Sequence, residues 1–280
     1  MSFGETVLLG ALAGFTIFLS LPLGRLDLLS PRVRVGLAMF AVGVLAFLFV
    51  DVFEHAFGIV EEPVEKLRDG HGNLGEAIGL LALLGAGFAA GTAGLGVVER
   101  RLRPKSMPPI AGGAAELTVE DAARLEQDAR ARALRTGMTI AAAIGLHNFA
   151  EGLAIGVSAS TGEISLATVL IVGFALHNAT EGFGIVGPLG NVRPSWGWLA
   201  AAGLVGGGPT FVGSIVGYNV TSEPLELLFY ALAGGAILYV IGEVWNGMRR
   251  HGHRELGLWL LTLGFLAGIA TDLVVVYGGG

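Results

Sequence analysis

Two copies of one polar pattern interrupt two long apolar stretches of the sequence. The first motif is Leu146–Gly152, read Leu-His-Asn-Phe-Ala-Glu-Gly, and the second motif is Leu176–Gly182, read Leu-His-Asn-Ala-Thr-Glu-Gly. On a helix, positions i, i+1 and i+4 point to the same side, so the polar side chains of each copy converge. We call these side chains the six motif residues: His147, Asn148, Glu151, His177, Asn178 and Glu181.

The residue types of the two motifs indicate a metal site. Two imidazoles, two amide oxygens and two carboxylates suit a borderline divalent cation such as Zn²⁺. The chain has no cysteine, so any metal must take nitrogen and oxygen ligands. The alternative is a buried His–Glu pair that only joins helices. We disfavour it because carboxylates are a costly way to join helices in lipid and are rarely kept there without a function.

The two motifs are predicted to face each other on neighbouring helices. A short turn at 161–163 separates them, and they lie at similar distances from it, so they fall at similar depth. Small residues allow helices to approach closely in a membrane. The glycines expected to bring these two helices together are Gly145, Gly152, Gly156, Gly173, Gly182 and Gly184.

The composition predicts that these helices belong to an all-α, polytopic membrane protein. The 280 residues are 53% hydrophobic and 14% charged, whereas soluble domains carry about 25% charged residues. The first apolar stretch is long enough to span a bilayer, so no cleavable signal peptide is expected. We predict a single transmembrane domain, 1–280, with eight spans. The predicted spans are 3–24, 35–58, 74–98, 134–160, 164–189, 196–220, 225–248 and 255–277.

Basic residues predict how these spans cross the membrane. Fifteen of the 17 Lys and Arg residues lie in four joins between spans, namely 25–34, 99–135, 190–195 and 249–254. These are the first, third, fifth and seventh joins, and basic joins face the cytoplasm. Both termini are therefore predicted outside. The connection 99–133 is predicted to be cytoplasmic and to enter the fourth span through a solvated helix stabilised by i,i+4 ion pairs.

The paired motif resembles the signature of the ZIP (Zrt-, Irt-like) family of metal transporters. In that family the fourth span carries His-Asn-x-x-Glu/Asp-Gly, and the fifth carries a related motif ending in Glu. The predicted eight spans, outside termini and long third loop are also similar. The resemblance implies a ZIP-like bundle with a metal site between the fourth and fifth spans, ligated by the six motif residues. It also implies metal movement toward the cytoplasm, by motion of a transport bundle against a scaffold.

The sequence departs from the usual family pattern at several positions. Ala150 and Thr180 stand where many relatives have Pro before the motif Glu, and a Pro there would free a helix carbonyl. Asn178 is neutral where relatives often have an acid, and Gly206–Thr210 of the sixth span contains no Glu. These differences predict that a second metal of a binuclear centre is weakly bound or absent.

Other polar groups within the spans are candidates for a transport path. Asp51, Glu54 and His55 lie near the predicted outer end of the second span and are candidates for an entry site. The alternative is a hydrated helix end. Glu243, toward the cytoplasmic end of the seventh span, is a candidate for the exit path.

The function predicted from these observations is transport of a divalent metal ion across the cell membrane. Zinc is the first candidate, and iron, manganese and cadmium suit the same ligands. No prosthetic group, enzymatic activity or nucleic-acid partner is expected, and the Gly-rich helices permit a homodimer without requiring one. The alternative from another class is an intramembrane zinc-dependent hydrolase, but the sequence has no His-Glu-x-x-His. A third possibility is a metal sensor or a structural membrane protein, and the sensor is disfavoured because no soluble output domain is expected.

Overall fold

The chain folds into a bundle of helices in the computed structural model. Residues 103–118 of the predicted connection, with residues 161 and 163 of the predicted turn, lie outside the part of the chain that the structure describes. The structure describes residues 1–26, 30–102, 119–160, 162, 164–219, 222–249 and 251–277.

All regular structure in these described ranges is helical, and they contain no strand. Two 3₁₀ turns, Thr16–Leu19 and Leu21–Arg25, continue the first helix, and a π-helical turn, Ala90–Gly94, joins the third to the fourth. The α-helices are α1 (Phe3–Phe15), α2 (Pro31–Arg68), α3 (Leu74–Ala89), α4 (Leu95–Leu102), α5 (Val119–Ser160), α6 (Ile164–Val186), α7 (Trp196–Asn219), α8 (Glu223–Arg249) and α9 (Arg254–Tyr277).

The prediction of a polytopic all-α protein is confirmed. Seven helical segments in the described part of the chain are long and apolar enough to cross a membrane. The remaining predicted span corresponds to α6, which has 23 residues and packs against α1, α2, α5 and α9. Many large apolar side chains on the outer surface of the bundle are exposed, as expected where lipid replaces water.

Two helices are longer than the spans predicted for them. α2 continues past residue 58, the predicted end of the second span, to Arg68. Charged pairs on the extension stabilise it, and Lys66 Nζ lies 2.6 Å from Glu62 Oε1 one turn earlier. α5 begins at Val119, so the predicted solvated helix and the fourth span form one continuous helix of 42 residues.

The four basic joins meet at one end of the bundle. Arg25 donates a hydrogen bond of 2.7 Å to the carbonyl of Pro194, and Arg130 donates one of 2.9 Å to the carbonyl of Arg193. A Cβ atom on Gly190 would lie 3.8 Å from the ring of His251. Contacts therefore connect joins 25–34, 99–135, 190–195 and 249–254, as their common predicted location requires.

The helices pack as two groups. We define a first helix group of α1, α5, α6 and α7 and a second helix group of α2, α3, α8 and α9, and the two groups contact each other chiefly through α5 and α8. α5 lies at the centre, with 72% of its most apolar 18-residue window buried, whereas only 17% is buried for α3–α4 and for α9. The motif helices α5 and α6 belong to the same group.

Glycines bring helix backbones together within each group. In the first helix group a Cβ on Gly14 would clash with the carbonyl of Gly207. In the second helix group a Cβ on Gly264 would clash with the carbonyl of Phe40, and one on Gly235 with that of Phe88. These contacts leave no room for a side chain, so the paired helices fit at only one register.

The prediction that the motif glycines bring α5 and α6 together is wrong for those that the structure reports. Gly145, Gly152 and Gly156 face the backbone of α7, and Gly182 faces Ile17 and Ser20 at the end of the first span. A Cβ on Gly184 would lie 3.9 Å from Ala41 of α2. The glycines instead allow α7 and α1 to approach the helices that carry the motifs. The spacing of residues in the sequence shows that one face of a helix carries small residues, but it does not show which neighbouring helix packs against that face.

Candidate metal site

The six motif residues lie in the interior of the bundle, on two helices that pack against each other. Their exposed fractions range from 0% for the two asparagines to 7% for His177. α5 carries the first motif and α6 carries the second. Within each helix the four-residue spacing of His and Glu puts them on the same side, as the sequence predicts.

The two asparagines connect the motifs reciprocally. Asn148 Nδ2 donates to Glu181 Oε2 at 3.0 Å, and Asn178 Nδ2 approaches Glu151 Oε2 at 3.5 Å, the long limit for such a bond. Each asparagine of one motif therefore holds the glutamate of the other. This cross-bracing keeps the two carboxylates between α5 and α6.

Each asparagine amide also donates to a backbone carbonyl of a third helix. Asn148 Nδ2 lies 3.0 Å from the carbonyl oxygen of Gly206 in α7, and Asn178 Nδ2 lies 3.2 Å from that of Ala13 in α1. Carbonyl oxygens only accept hydrogen bonds, so the amide nitrogens must face them. Both Oδ1 atoms are thereby directed away from these acceptors, with no hydrogen-bond partner.

His147 brings a ring nitrogen to both carboxylates. His147 Nε2 lies 3.0 Å from Glu151 Oε1 and 3.9 Å from Glu181 Oε1. Neither approach has the alignment of a hydrogen bond, so Nε2 and both Oε1 atoms are left without a hydrogen-bond partner. One imidazole nitrogen and two carboxylate oxygens thus converge from both motif helices.

His177 is oriented differently from His147. Its Nε2 lies 2.6 Å from the hydroxyl oxygen of Thr271 on α9, while its Nδ1 is buried and has no hydrogen-bond partner. No group of three or more His, Asp or Glu side chains in the described ranges has the arrangement of a formed metal site. Hydrogen bonds and the approach of His147 to both carboxylates connect the other five motif residues. His177 instead contacts α9 through Thr271.

The buried polar atoms that lack partners are concentrated at the motifs. An unpartnered buried donor or acceptor costs about 1–3 kcal/mol, so natural proteins keep few of them. In the described part of the chain, seven of the eight such side-chain atoms belong to the six motif residues. These atoms are His147 Nδ1 and Nε2, Asn148 Oδ1, Glu151 Oε1, His177 Nδ1, Asn178 Oδ1 and Glu181 Oε1.

Four further residues contribute to the site without being identified from the sequence. Ala13 and Gly206 contribute only their carbonyls, so residue type carries no signal for them. Thr210 has the eighth unpartnered buried atom and packs beside Gly152. Thr271 contacts His177. For α7, a run of glycines followed by Pro209 in the middle of an apolar span was the sequence feature that could have indicated a role in the site.

The remaining predicted path residues lie on α2 and α8, outside the two motif helices. Glu54 and His55 are exposed on α2, and His55 Nδ1 lies 2.9 Å from the carbonyl oxygen of Asp51. Asp51 is partly buried and within electrostatic range of His147 and of Asp272 on α9. Glu243 is partly buried on α8. Of these candidates, Asp51 is thus associated with the motif residues.

Thr180, which replaces the proline found in many relatives, bonds within its own helix. Its hydroxyl donates to the carbonyl oxygen of His177 at 2.8 Å. Such a bond perturbs a helix only mildly and frees no carbonyl. The side chains of the motif therefore remain the available ligands on α6.

Comparison with known protein families identifies a matching family. A family model described as "ZIP Zinc transporter" matches residues 105–268, more than half of the 280-residue chain, and includes both motifs. A comparison with curated protein sequences found none that matches.

Proposed function

The chain belongs to the ZIP zinc transporter family, and from this premise we propose that the six motif residues bind a divalent metal ion and pass it across the membrane. Membership makes the chain a multi-pass membrane protein of a divalent-metal transporter family. Zinc as the ion, transport toward the cytoplasm, the cell membrane as the location and the ligand set are our proposals.

The observation that carries the proposal is the set of unpartnered atoms at the motifs. Seven buried nitrogen and oxygen atoms without hydrogen bonds all belong to residue types that bind metals. A divalent cation in transit would supply the partner that these atoms lack. Two of the seven, His147 Nε2 and Glu151 Oε1, lie 3.0 Å apart. For the others, the cost of leaving a buried group unpartnered, about 1–3 kcal/mol, would be offset when the ion binds.

The donor set suits zinc or a similar first-row ion. Imidazole nitrogen and carboxylate oxygen are both common zinc ligands, at about 2.0–2.2 Å from the metal. The asparagine amides are already oriented by Glu181, Gly206 and Ala13, so each can present its oxygen without rotating. Two glutamates also neutralise the charge of the ion where the surroundings are apolar.

The charge distribution supports a direction for the path. The basic joins meet at one end of the bundle, which the positive-inside rule assigns to the cytoplasm. Both termini then lie outside. We propose that the ion enters past Asp51, with Glu54 and His55 at the entrance, and leaves past Glu243.

The packing supports alternating access by motion of one helix group against the other. The first helix group supplies all six motif residues and the backbone carbonyls that orient them. Several glycine contacts hold helices together within each group, whereas a Cβ on Gly184 of α6 would lie at an ordinary contact distance, 3.9 Å, from Ala41 of α2. A shift of the first helix group would therefore carry all six motif residues together. All six ligands come from one chain, so the proposed path needs no second copy.

The hydrolase alternative finds no support. A catalytic zinc needs about three protein ligands, an open position and a base. Family membership points to transport, and the paired motif supplies ligands without a separate base.

Metal flux into proteoliposomes tests the proposal. A fluorescent chelator inside the vesicles reports entry of Zn²⁺, Fe²⁺, Mn²⁺ or Cd²⁺. We expect saturable flux by the wild type and its loss in Glu181→Gln and in His177→Ala, because the first removes the charge of a carboxylate and the second removes an imidazole, and neither adds bulk.

Glu99→Gln is the matched control. Glu99 is also a buried glutamate, but it accepts a hydrogen bond from Tyr239 at 2.9 Å and is not part of the motifs. Flux by this variant should persist. Wild-type protein that inserts correctly but carries none of the four ions would overturn the proposal, as would normal flux by both Glu181→Gln and His177→Ala.

A further inference from the structure

Thr271 on α9 makes a polar contact with the ring of His177 from outside the motifs. We propose that Thr271 is a positioning residue, which accepts a hydrogen bond from His177 Nε2–H and so presents His177 Nδ1 to the metal ion. This inference rests on the proposed function, because it names the nitrogen through which the same site binds its substrate.

The hydrogen-bond geometry assigns the direction of this contact. The Thr271 hydroxyl has a single proton, and its oxygen lies 2.7 Å from the carbonyl oxygen of Gly268, which can only accept. When the proton is donated there, the 2.6 Å contact between Thr271 Oγ1 and His177 Nε2 must be donated by the imidazole. Nε2 then carries the proton of the neutral ring.

The surroundings of the other ring nitrogen agree with this tautomer. His177 Nδ1 is buried and has no hydrogen-bond partner. With the proton on Nε2, Nδ1 is an unpartnered acceptor with a free lone pair. The opposite tautomer would bury an N–H without an acceptor, and orphaned N–H groups are the rarer defect. A lone pair without a hydrogen is what a metal requires of an imidazole.

The same contact connects the two helix groups at the site. Thr271 belongs to the second helix group through α9, and His177 belongs to the first helix group through α6. Metal-binding histidines almost always donate their second ring N–H to a partner that fixes the ring. Here that partner belongs to the second helix group, against which the first helix group moves in the proposed transport cycle. The orientation of His177 therefore depends on the relative position of the two groups.

Substitutions of Thr271 test the inference by zinc flux and by zinc binding to the purified protein. Thr271→Val keeps the shape but removes the oxygen, and we expect it to weaken zinc binding and raise the KM for flux about 10–100-fold. Thr271→Ser keeps the hydroxyl and should restore both values. Thr262→Val is the matched control, because Thr262 lies on the same helix. Its hydroxyl donates a hydrogen bond of 2.9 Å to the carbonyl oxygen of Leu258 in that helix.

A double-substitution cycle separates positioning from a general effect on α9. In a His177→Ala background, Thr271→Val should cause no further loss of zinc binding, since the residue acts through the imidazole. An additional loss there would overturn the inference, as would wild-type behaviour of Thr271→Val or failure of Thr271→Ser to restore binding. Absence of wild-type flux is a different result, because it would contradict the proposed function itself.

Discussion

Asn148 and Asn178 organise the interior of the protein more than their neutral side chains suggest. Each donates one hydrogen bond to the glutamate of the other motif and one to the backbone of a third helix. One amide group thus fixes a carboxylate and exposes its own oxygen to the same space. Such a network is stable only when its donors are all present, because the acceptors are buried.

Removal of the Asn148 amide should destabilise the protein even without metal. Asn148→Ala leaves Glu181 Oε2 and the carbonyl of Gly206 without this donor, which we expect to cost about 1–3 kcal/mol. Thermal unfolding in detergent, with metal removed by a chelator, measures the change. Asn219→Ala is the control, since Asn219 is exposed and donates to the carbonyl oxygen of Ile215 in its own helix. Equal midpoints for the two variants would contradict the bracing role.

α7 is the helix that supports the site without carrying a motif residue. Its glycines let α5 approach on one side and α1 on the other, so the carbonyl of Gly206 reaches Asn148. Pro209 lies within this helix, has no N–H and leaves the carbonyl of Val205 without its usual helical partner. That carbonyl packs against Gly145 of α5. Polar groups of the α7 backbone are thereby brought to the motif helix.

Two adjacent glycines of α7 should differ sharply in their tolerance of a methyl group. A Cβ on Gly207 would clash with the carbonyl of Gly14, whereas a Cβ on Gly208 would meet nothing within 4 Å. We expect Gly207→Ala to destabilise by about 1–3 kcal/mol through overpacking and Gly208→Ala to leave the unfolding midpoint unchanged. Thermal unfolding of the two purified variants provides the comparison. Similar midpoints would mean that α1 and α7 are not closely packed.

The proposed transport motion would take place between the two helix groups. Several glycine contacts hold helices together within each group, and α6 meets α2 where Gly184 lies beside Ala41. The six motif residues lie on one side of this interface, and Thr271, which holds His177, lies on the other. Relative motion of the groups and orientation of one ligand are therefore physically connected.

A disulfide across this interface should stop transport. A Cβ on Gly184 of α6 would lie 3.9 Å from the Cβ of Ala41 of α2, close to the usual disulfide separation of about 3.8 Å. The natural chain has no cysteine, so Gly184→Cys with Ala41→Cys introduces the only thiols. Oxidation should abolish zinc flux into proteoliposomes, and a reductant should restore it.

A second cysteine pair controls for the effect of cross-linking itself. A Cβ on Gly257 of α9 would lie 4.0 Å from the Cβ of Met39 of α2, and both helices belong to the second helix group. Oxidised Gly257→Cys with Met39→Cys should continue to transport zinc. Full flux by the oxidised Gly184 and Ala41 pair would instead show that these two helices need not slide.

The sequence alone determined the class of the protein, the helices and the residues most suited to bind metal. Apolar length identifies spans because backbone polar groups in lipid must be paired internally, and His, Asn and Glu within such spans are conspicuous because they are costly there. The positions of the basic joins can likewise be read from where Lys and Arg stand between the apolar stretches. All of these signals are local.

Only the tertiary structure decided which helix each face meets. The sequence identified the glycines at Gly145, Gly152 and Gly156 but not α7 as their neighbour. It could not identify the carbonyls of Ala13 and Gly206 as partners of the asparagines, nor Thr271 as the partner of His177. Those contacts join residues far apart in the chain, and a backbone carbonyl or lone threonine has the same local pattern whether or not a ligand lies beside it.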